Sequence, residues 1–144
     1  MRAIGCLQPG PIEEPEALVE FDLPRSVPEG RDILVAVKTV SVNPVDAKAR
    51  SGTAPLEGRS ERILGWDAAG IVEAMGPDGA GSKAGDAVFY AGSLTRDGSN
   101  AEYQLVDERI VGHKTAIAGM GRGGCAAADR CDGVGDTLRA STRA

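Results

Sequence analysis

The sequence predicts a mainly β domain of barrel or sandwich type, followed by a C-terminal segment that does not fold with it. Three observations lead there. Short runs rich in β-branched residues recur about every ten residues. Glycine- and proline-containing turns separate them. From Thr115 onward the aromatics vanish and aliphatic residues become sparse.

Taken in chain order, Arg2 to Leu7 and Leu18 to Leu23 are short strand-like runs, parted by a Pro/Gly/Glu loop that would break any helix. Ile33 to Val42 (Ile-Leu-Val-Ala-Val-Lys-Thr-Val-Ser-Val) suits a pleated surface better than a helix. Residues 68 to 75 and 87 to 90 repeat that character, and 101 to 106 alternate more weakly. Gly76-Pro-Asp-Gly79 and Lys83-Ala-Gly-Asp86 supply turn chemistry between them, and Asp97-Gly98 with Ser99-Asn100 shapes a hairpin. The last thirty residues, 115 to 144, are rich in Gly, Ala, Arg and Asp. They cannot bury enough apolar surface to fold alone, so an irregular, disordered tail is expected.

At 144 residues the chain makes one domain with a real core. Its formal net charge of -5 argues against nucleic acid or an anionic membrane as partner. No stretch of about eighteen apolar residues is present to span a bilayer, and the N-terminus lacks the apolar core of a signal peptide. Cys6, Cys125 and Cys131 are odd in number and scattered, which fits a reducing compartment rather than a disulfide framework. A cytoplasmic location is expected.

The polar chemistry concentrates in two segments. The first is Ser41-Val-Asn-Pro-Val-Asp-Ala-Lys-Ala-Arg-Ser-Gly52, an extended run that turns at Pro44. The second is Ile63-Leu-Gly-Trp-Asp-Ala-Ala-Gly-Ile-Val-Glu-Ala-Met-Gly76, a glycine-rich strand. Asn43 is either a turn-former before Pro44 or a functional amide. Asp46 and Lys48 follow on the same turn, as a solvated pair, a local cap or the rim of a cleft. Trp66 is a cleft wall or a core anchor. His113, the only histidine, has no Cys or carboxylate at metal spacing and reads as a surface or interdomain residue. Gly119, Gly121 and Gly124 formally satisfy G-x-G-x-x-G, but no strand precedes them and no apolar helix follows, so a phosphate loop is not expected.

Together the two segments resemble the catalytic-domain signature of the medium-chain dehydrogenase/reductase superfamily, in its quinone-oxidoreductase-like branch. The resemblance runs from Met1 to about Lys114 and then stops. It implies a GroES-like barrel with irregular edges at 1–114. It further implies an oxidoreductase in which NADPH reduces a small quinone or α,β-unsaturated carbonyl, often in a homodimer. Asn43 matches the family asparagine that touches the nicotinamide ribose or the substrate oxygen. Tyr90 would place a phenol near the same region as a second catalytic group, with Asp46, Lys48 and Trp66 lining the substrate cleft. Zinc-bearing members place a cysteine where this chain has Asn43 or Pro44, and Gly-His-Glu where it has Gly65-Trp66-Asp67. No zinc is therefore expected. The oxyanion would instead be held by amide or hydroxyl donors.

Relatives of this type carry a dinucleotide domain after the barrel, and the tail bears a trace of it. Ordinary codons for Ile117 to Ala126 (ATC GCT GGA ATG GGC AGA GGC GGC TGC GCT) read from the second base give Ser-Leu-Glu-Trp-Ala-Glu-Ala-Ala-Ala. That resembles the family's entry helix, Ser-Leu-x-Trp-Ala-Glu-Ala-Ala-Ala. Ala126 to Arg139 treated alike yield Leu-Pro-Leu-Thr-Ala-Val-Thr-Ala-Trp-Glu. Residues 115–144 are thus expected to be a shifted reading frame, with a natural low-complexity tail as the alternative. The chain then carries the substrate-side domain truncated before its cofactor domain. A noncatalytic or inert fragment is the competing functional class; a zinc alcohol dehydrogenase is opposed by Trp66 and the absent cysteine.

Overall fold

The computed structural model describes residues 1–53 and 55–113. The expectations for the tail, its glycine cluster, Cys125, Cys131 and the shifted frame lie outside the described residues. In chain order the elements are β1 (Arg2–Cys6), β2 (Val19–Asp22), β3 (Asp32–Ser41), α1 (Pro44–Gly52), β4 (Arg62–Ile63), β5 (Asp67–Met75), β6 (Ala87–Ala91), β7 (Tyr103–Asp107), a 3-10 turn (Glu108–Ile110) and β8 (Val111–His113).

The strands form two sheets, in the orders β2-β1-β4 and β7-β3-β5-β6-β8, and every pairing is antiparallel. β3 is the spine of the larger sheet. It pairs with β5 from Ile33↔Met75 to Ser41↔Asp67, with register shifts at Leu34/Val35 and Val37/Thr39. Ile33, Leu34, Val35 and Ala36 are all buried. Burial on both faces explains why this strand reads as a continuous apolar run rather than an alternating one. The sheets meet where β1 bridges Ala3 to Ala101. There Ile4 N donates to Asn100 O at 2.7 Å, and Glu102 N to Arg2 O at 3.0 Å. This is the irregular edge of the barrel. It also shows why β7 starts at Tyr103: the residues just before it are occupied with β1.

Inside the larger sheet, Ile33, Val35, Ala68, Val72, Val88, Tyr90 and Val106 form one buried cluster. Each fully buried Val or Ile contributes about 1.5–3 kcal/mol. An exposed ion pair such as Arg25–Glu73 contributes about 0–1 kcal/mol. Apolar burial therefore decides the fold, and the surface charges decorate it. Among the described residues, no helix is long and apolar enough to cross a membrane.

The turn expected at Pro44 is in fact the first turn of a nine-residue helix. Asn43 is its N-cap with extended backbone (φ -123°, ψ 162°), and Pro44 takes the first helical position, where its missing N–H costs nothing. Asp46, three residues after the cap, accepts the Asn43 backbone N–H at 2.6 Å, completing a capping box. The helix stops at Thr53, whose N–H reaches Ala49 O at 2.8 Å. Its buried side carries Val45 and Ala49 against Cys6, Leu64 and Trp66, a second apolar cluster.

Two local devices pin loops to the sheets, the first beside this cluster. Gly65 has φ +89°, and a Cβ there would fall 2.5 Å from Asn100 Oδ1 and 2.6 Å from Ser99 Oγ. Only glycine lets the 99–100 segment bond back to Leu64 O and Gly65 O, at 2.8 Å each. Elsewhere, the Glu108 carboxylate accepts Gly81 N at 2.8 Å, Ala80 N at 2.9 Å and Arg31 Nη1 at 3.1 Å. The Gly81 N–H, followed by the Ala80 N–H and Arg31, holds this carboxyl below the usual range of about 4.5.

Gly65→Ala should therefore lose about 2 kcal/mol of stability from strain and overlap, read as a lower urea midpoint with an unchanged slope; an unchanged midpoint would contradict the reading. For Glu108 the sign follows from its depressed folded-state pKa. Its stabilisation is present above 4.5 and lost as the pH falls through the folded-state value. Glu108→Gln should lower the melting temperature most at neutral pH, and the gap to the parent protein should close well below pH 4.5. A gap independent of pH would show that the carboxylate charge is irrelevant.

Candidate functional site

The site forms where the end of β3, the start of α1 and the start of β5 converge. Ser41 closes β3 opposite Asp67, so the two residues that follow carry the chain directly over the first residue of β5. Half-buried Asn43 then lies between two carboxylates. Its backbone N–H donates to Asp46 Oδ2, and its side-chain Nδ2 donates to Asp67 Oδ2 at 2.5 Å. Asp67 is 7% exposed and is flanked across the sheet by Ser41 and Ala91.

The two acids have different surroundings. Burial pushes the Asp46 carboxyl above the usual range, opposed by the Asn43 N–H and reinforced by the neighbouring Asp67 charge. Its Oδ1 is buried without a hydrogen-bond partner. Chemically, the arrangement is an amide with one Nδ2 hydrogen committed to Asp67 and a second that remains to donate. Such a donor can stabilise negative charge growing on a carbonyl oxygen.

The other expected site residues are not gathered around Asn43. Lys48 is exposed on α1, and residues two apart on a helix do not face each other, so Asp46 and Lys48 do not form a shared rim. Trp66 is 3% exposed, packed with Cys6, Ala49 and Leu64, and donates Nε1 to Ser93 O at 3.2 Å. It anchors the core instead of walling a cleft. Tyr90 is 1% exposed and belongs to the cluster with Val35 and Val88. Its partner across the sheet is Ala68, so its side chain shares a face with Ala68, whereas Asp67 points to the opposite face. The Tyr90 hydroxyl is buried without a partner, and burial raises its pKa far above the ordinary phenol value. A phenol facing the interior cannot serve a substrate at Asn43. His113 is exposed on β8, with Nε2 3.0 Å from Gly81 O and Nδ1 3.8 Å from Asp86.

Two partnerships have no local signal in the sequence. Asp67 lies 24 residues from Asn43, and only the β3–β5 register joins them. Arg62 is fully buried, donates Nη2 to Leu94 O, and lies with its guanidinium 5.8 Å from the Trp66 ring centroid. Residue spacing alone marks neither.

The donor chemistry here does not suit zinc. Trp66 offers only an N–H donor, Asn43 spends its amide nitrogen on Asp67, and Cys6 is buried in the apolar cluster. Among the described residues, no three His, Cys, Asp or Glu side chains are grouped to hold a metal. A dinucleotide finds only a partial fit. The N-terminus of α1 would ordinarily attract phosphate, but the Asp46 carboxylate caps it and Asp67 lies beside it. Among the described residues, the N-terminus of α1 thus offers no free cradle for the phosphates.

Comparison with known proteins agrees with this architecture. The family model for the alcohol dehydrogenase GroES-like domain matches residues 29–131. A zinc-type alcohol dehydrogenase-like protein of Staphylococcus aureus (strain COL) is 48% identical over 111 residues, covering 77% of this chain and 32% of that protein. The human quinone oxidoreductase is 33% identical over 112 residues, again 77% of this chain and 32% of that protein. Among solved structures, a candidate zinc-dependent alcohol dehydrogenase of Rhizobium etli CFN 42 superposes with TM-score 0.78 at 52% identity, covering 82% of this chain and 34% of that one. Escherichia coli quinone oxidoreductase complexed with NADPH superposes with TM-score 0.75 at 26% identity, covering 87% and 36%. The chain thus spans about a third of the length of the relatives it matches. It belongs to the alcohol dehydrogenase GroES-like domain family and corresponds to the N-terminal domain of a medium-chain dehydrogenase/reductase.

Proposed function

We propose that this chain is the substrate-side domain of an NADPH-dependent reductase acting on small quinones or α,β-unsaturated carbonyls. The carrying observation is the Asn43 amide, half-buried at the mouth of α1 and fixed from behind by Asp67. When bound, the nicotinamide supplies a hydride to the acceptor carbon. Asn43 would donate its remaining Nδ2 hydrogen to the substrate oxygen, where negative charge grows, or to the nicotinamide ribose. Zinc has no part in this scheme, because Asn43 or Pro44 stands in place of the relatives' cysteine and Trp66 in place of their histidine. That leaves Asp67 as a single oxygen donor that already accepts from Asn43. The quinone oxidoreductases among the relatives support the substrate class. A cytoplasmic homodimer is the setting we expect for the longer protein.

A noncatalytic reading is favoured for the 144-residue chain by itself. The helix N-terminus that could hold phosphate is occupied by Asp46. One amide contact cannot offset the cost of immobilising a dinucleotide, about 4–15 kcal/mol for translation and rotation alone. The chain alone should therefore neither bind NADPH nor oxidise it in the presence of a quinone. We further propose that 115–144 is a shifted reading frame. A version extended through the restored frame should do both, and Asn43→Ala in that version should lower kcat by about 100-fold. Stopped-flow absorbance of NADPH decides the matter. Oxidation by the short chain, or an extended enzyme indifferent to Asn43→Ala, would overturn the proposal.

A further inference from the structure

Asn43 is useful as a donor only if its carboxamide points the right way, and an amide on a short side chain has two orientations of similar shape. The structure shows what removes that ambiguity. Asp67 Oδ2 receives Nδ2 at 2.5 Å. Reversing the amide would set Asn43 Oδ1 against a carboxylate oxygen, with two acceptors in contact and no hydrogen between them. The carboxylate is itself fixed, because Asp67 is the first residue of β5, is 7% exposed, and has paired neighbours on both sides. Gly65, with its positive φ, and Trp66, anchored to Ser93 O, fix the backbone leading into it.

We infer that Asp67 is the positioning residue of the site: it selects the amide orientation of Asn43 that leaves an Nδ2 hydrogen directed at the ligand. This rests on Asn43 being the ligand-facing donor. Asp67 touches neither substrate nor cofactor in this scheme, and its effect passes through Asn43. The Asp46 carboxylate receives only the Asn43 backbone N–H. The Asp46 backbone N–H, the other half of the capping box, faces the Asn43 side chain and favours the same orientation, with Oδ1 toward α1 and Nδ2 toward Asp67.

The test starts from the 144-residue chain, using the side-chain amide signals of Asn43 in a nitrogen–proton correlation spectrum. The parent protein should show two strongly inequivalent Nδ2 protons, one shifted downfield by the carboxylate and exchanging slowly with water. Asp67→Asn should bring the pair back toward ordinary asparagine positions and speed exchange at least tenfold, while the β3 and β5 backbone signals stay in place. Asp67→Glu should retain part of the downfield shift. Ordinary, fast-exchanging Asn43 protons in the parent would overturn the proposal, as would a signal indifferent to Asp67→Asn in a folded variant. Should Asp67→Asn fail to fold, the parent spectrum and Asp67→Glu still decide. In the extended enzyme, Asp67→Asn should lower kcat about as much as Asn43→Ala, and the double variant should lose little more. An extended protein without reductase activity, but with the expected Asn43 signals, would refute the functional reading and leave the positioning intact.

Discussion

The three-way junction at Asn43 is the constraint from which the rest of the site follows. Two residues past the end of β3, Asn43 caps α1 through its backbone and the Asp46 carboxylate and ties that cap to β5 through Asp67. A charge-assisted hydrogen bond contributes about 1.5–3 kcal/mol, so Asp67 is worth roughly as much as one fully buried aliphatic side chain. The junction also explains the placement of the helix. The chain leaves the sheet at Ser41, and the buried face of α1, Val45 and Ala49, then settles on Cys6, Leu64 and Trp66. Packing and polar chemistry here share the same few residues.

Nearby negative charge limits what this junction can bind. Two carboxylates behind one amide favour a ligand group that accepts a single hydrogen bond and disfavour phosphate. On the function proposed above, the pyrophosphate would be gripped outside these residues and this domain would present the acceptor.

Much of the sheet is legible from the sequence because β-branched runs such as Ile33–Val42 suit little else. α1 is not legible so long as Pro44 is taken for a turn. The signal is nonetheless there: Asn, then Pro, then Asp at the third helical position is an N-terminal capping pattern. β4 and β8, at two and three residues, exist only through their pairing with distant strands, and no local propensity marks them. Tyr90 illustrates a different lapse. Val88 and Tyr90 share a face by the two-residue period, and both are buried at 0% and 1% exposure. Alternation alone would have turned the phenol inward, whereas the family resemblance placed it at the cleft. For Asp67 the reverse holds: only the register of β3 against β5 brings it to Asn43.

Carbonyl activation by an oriented amide, with no metal, is the central claim for this site. Its most direct measurement is the metal content and quinone reductase activity of the extended protein before and after exhaustive dialysis against a chelator. The expected result is less than a tenth of an equivalent of zinc and unchanged turnover, with turnover still sensitive to Asn43→Ala. One tightly held zinc per chain, with activity lost on its removal and restored by one equivalent, would contradict it.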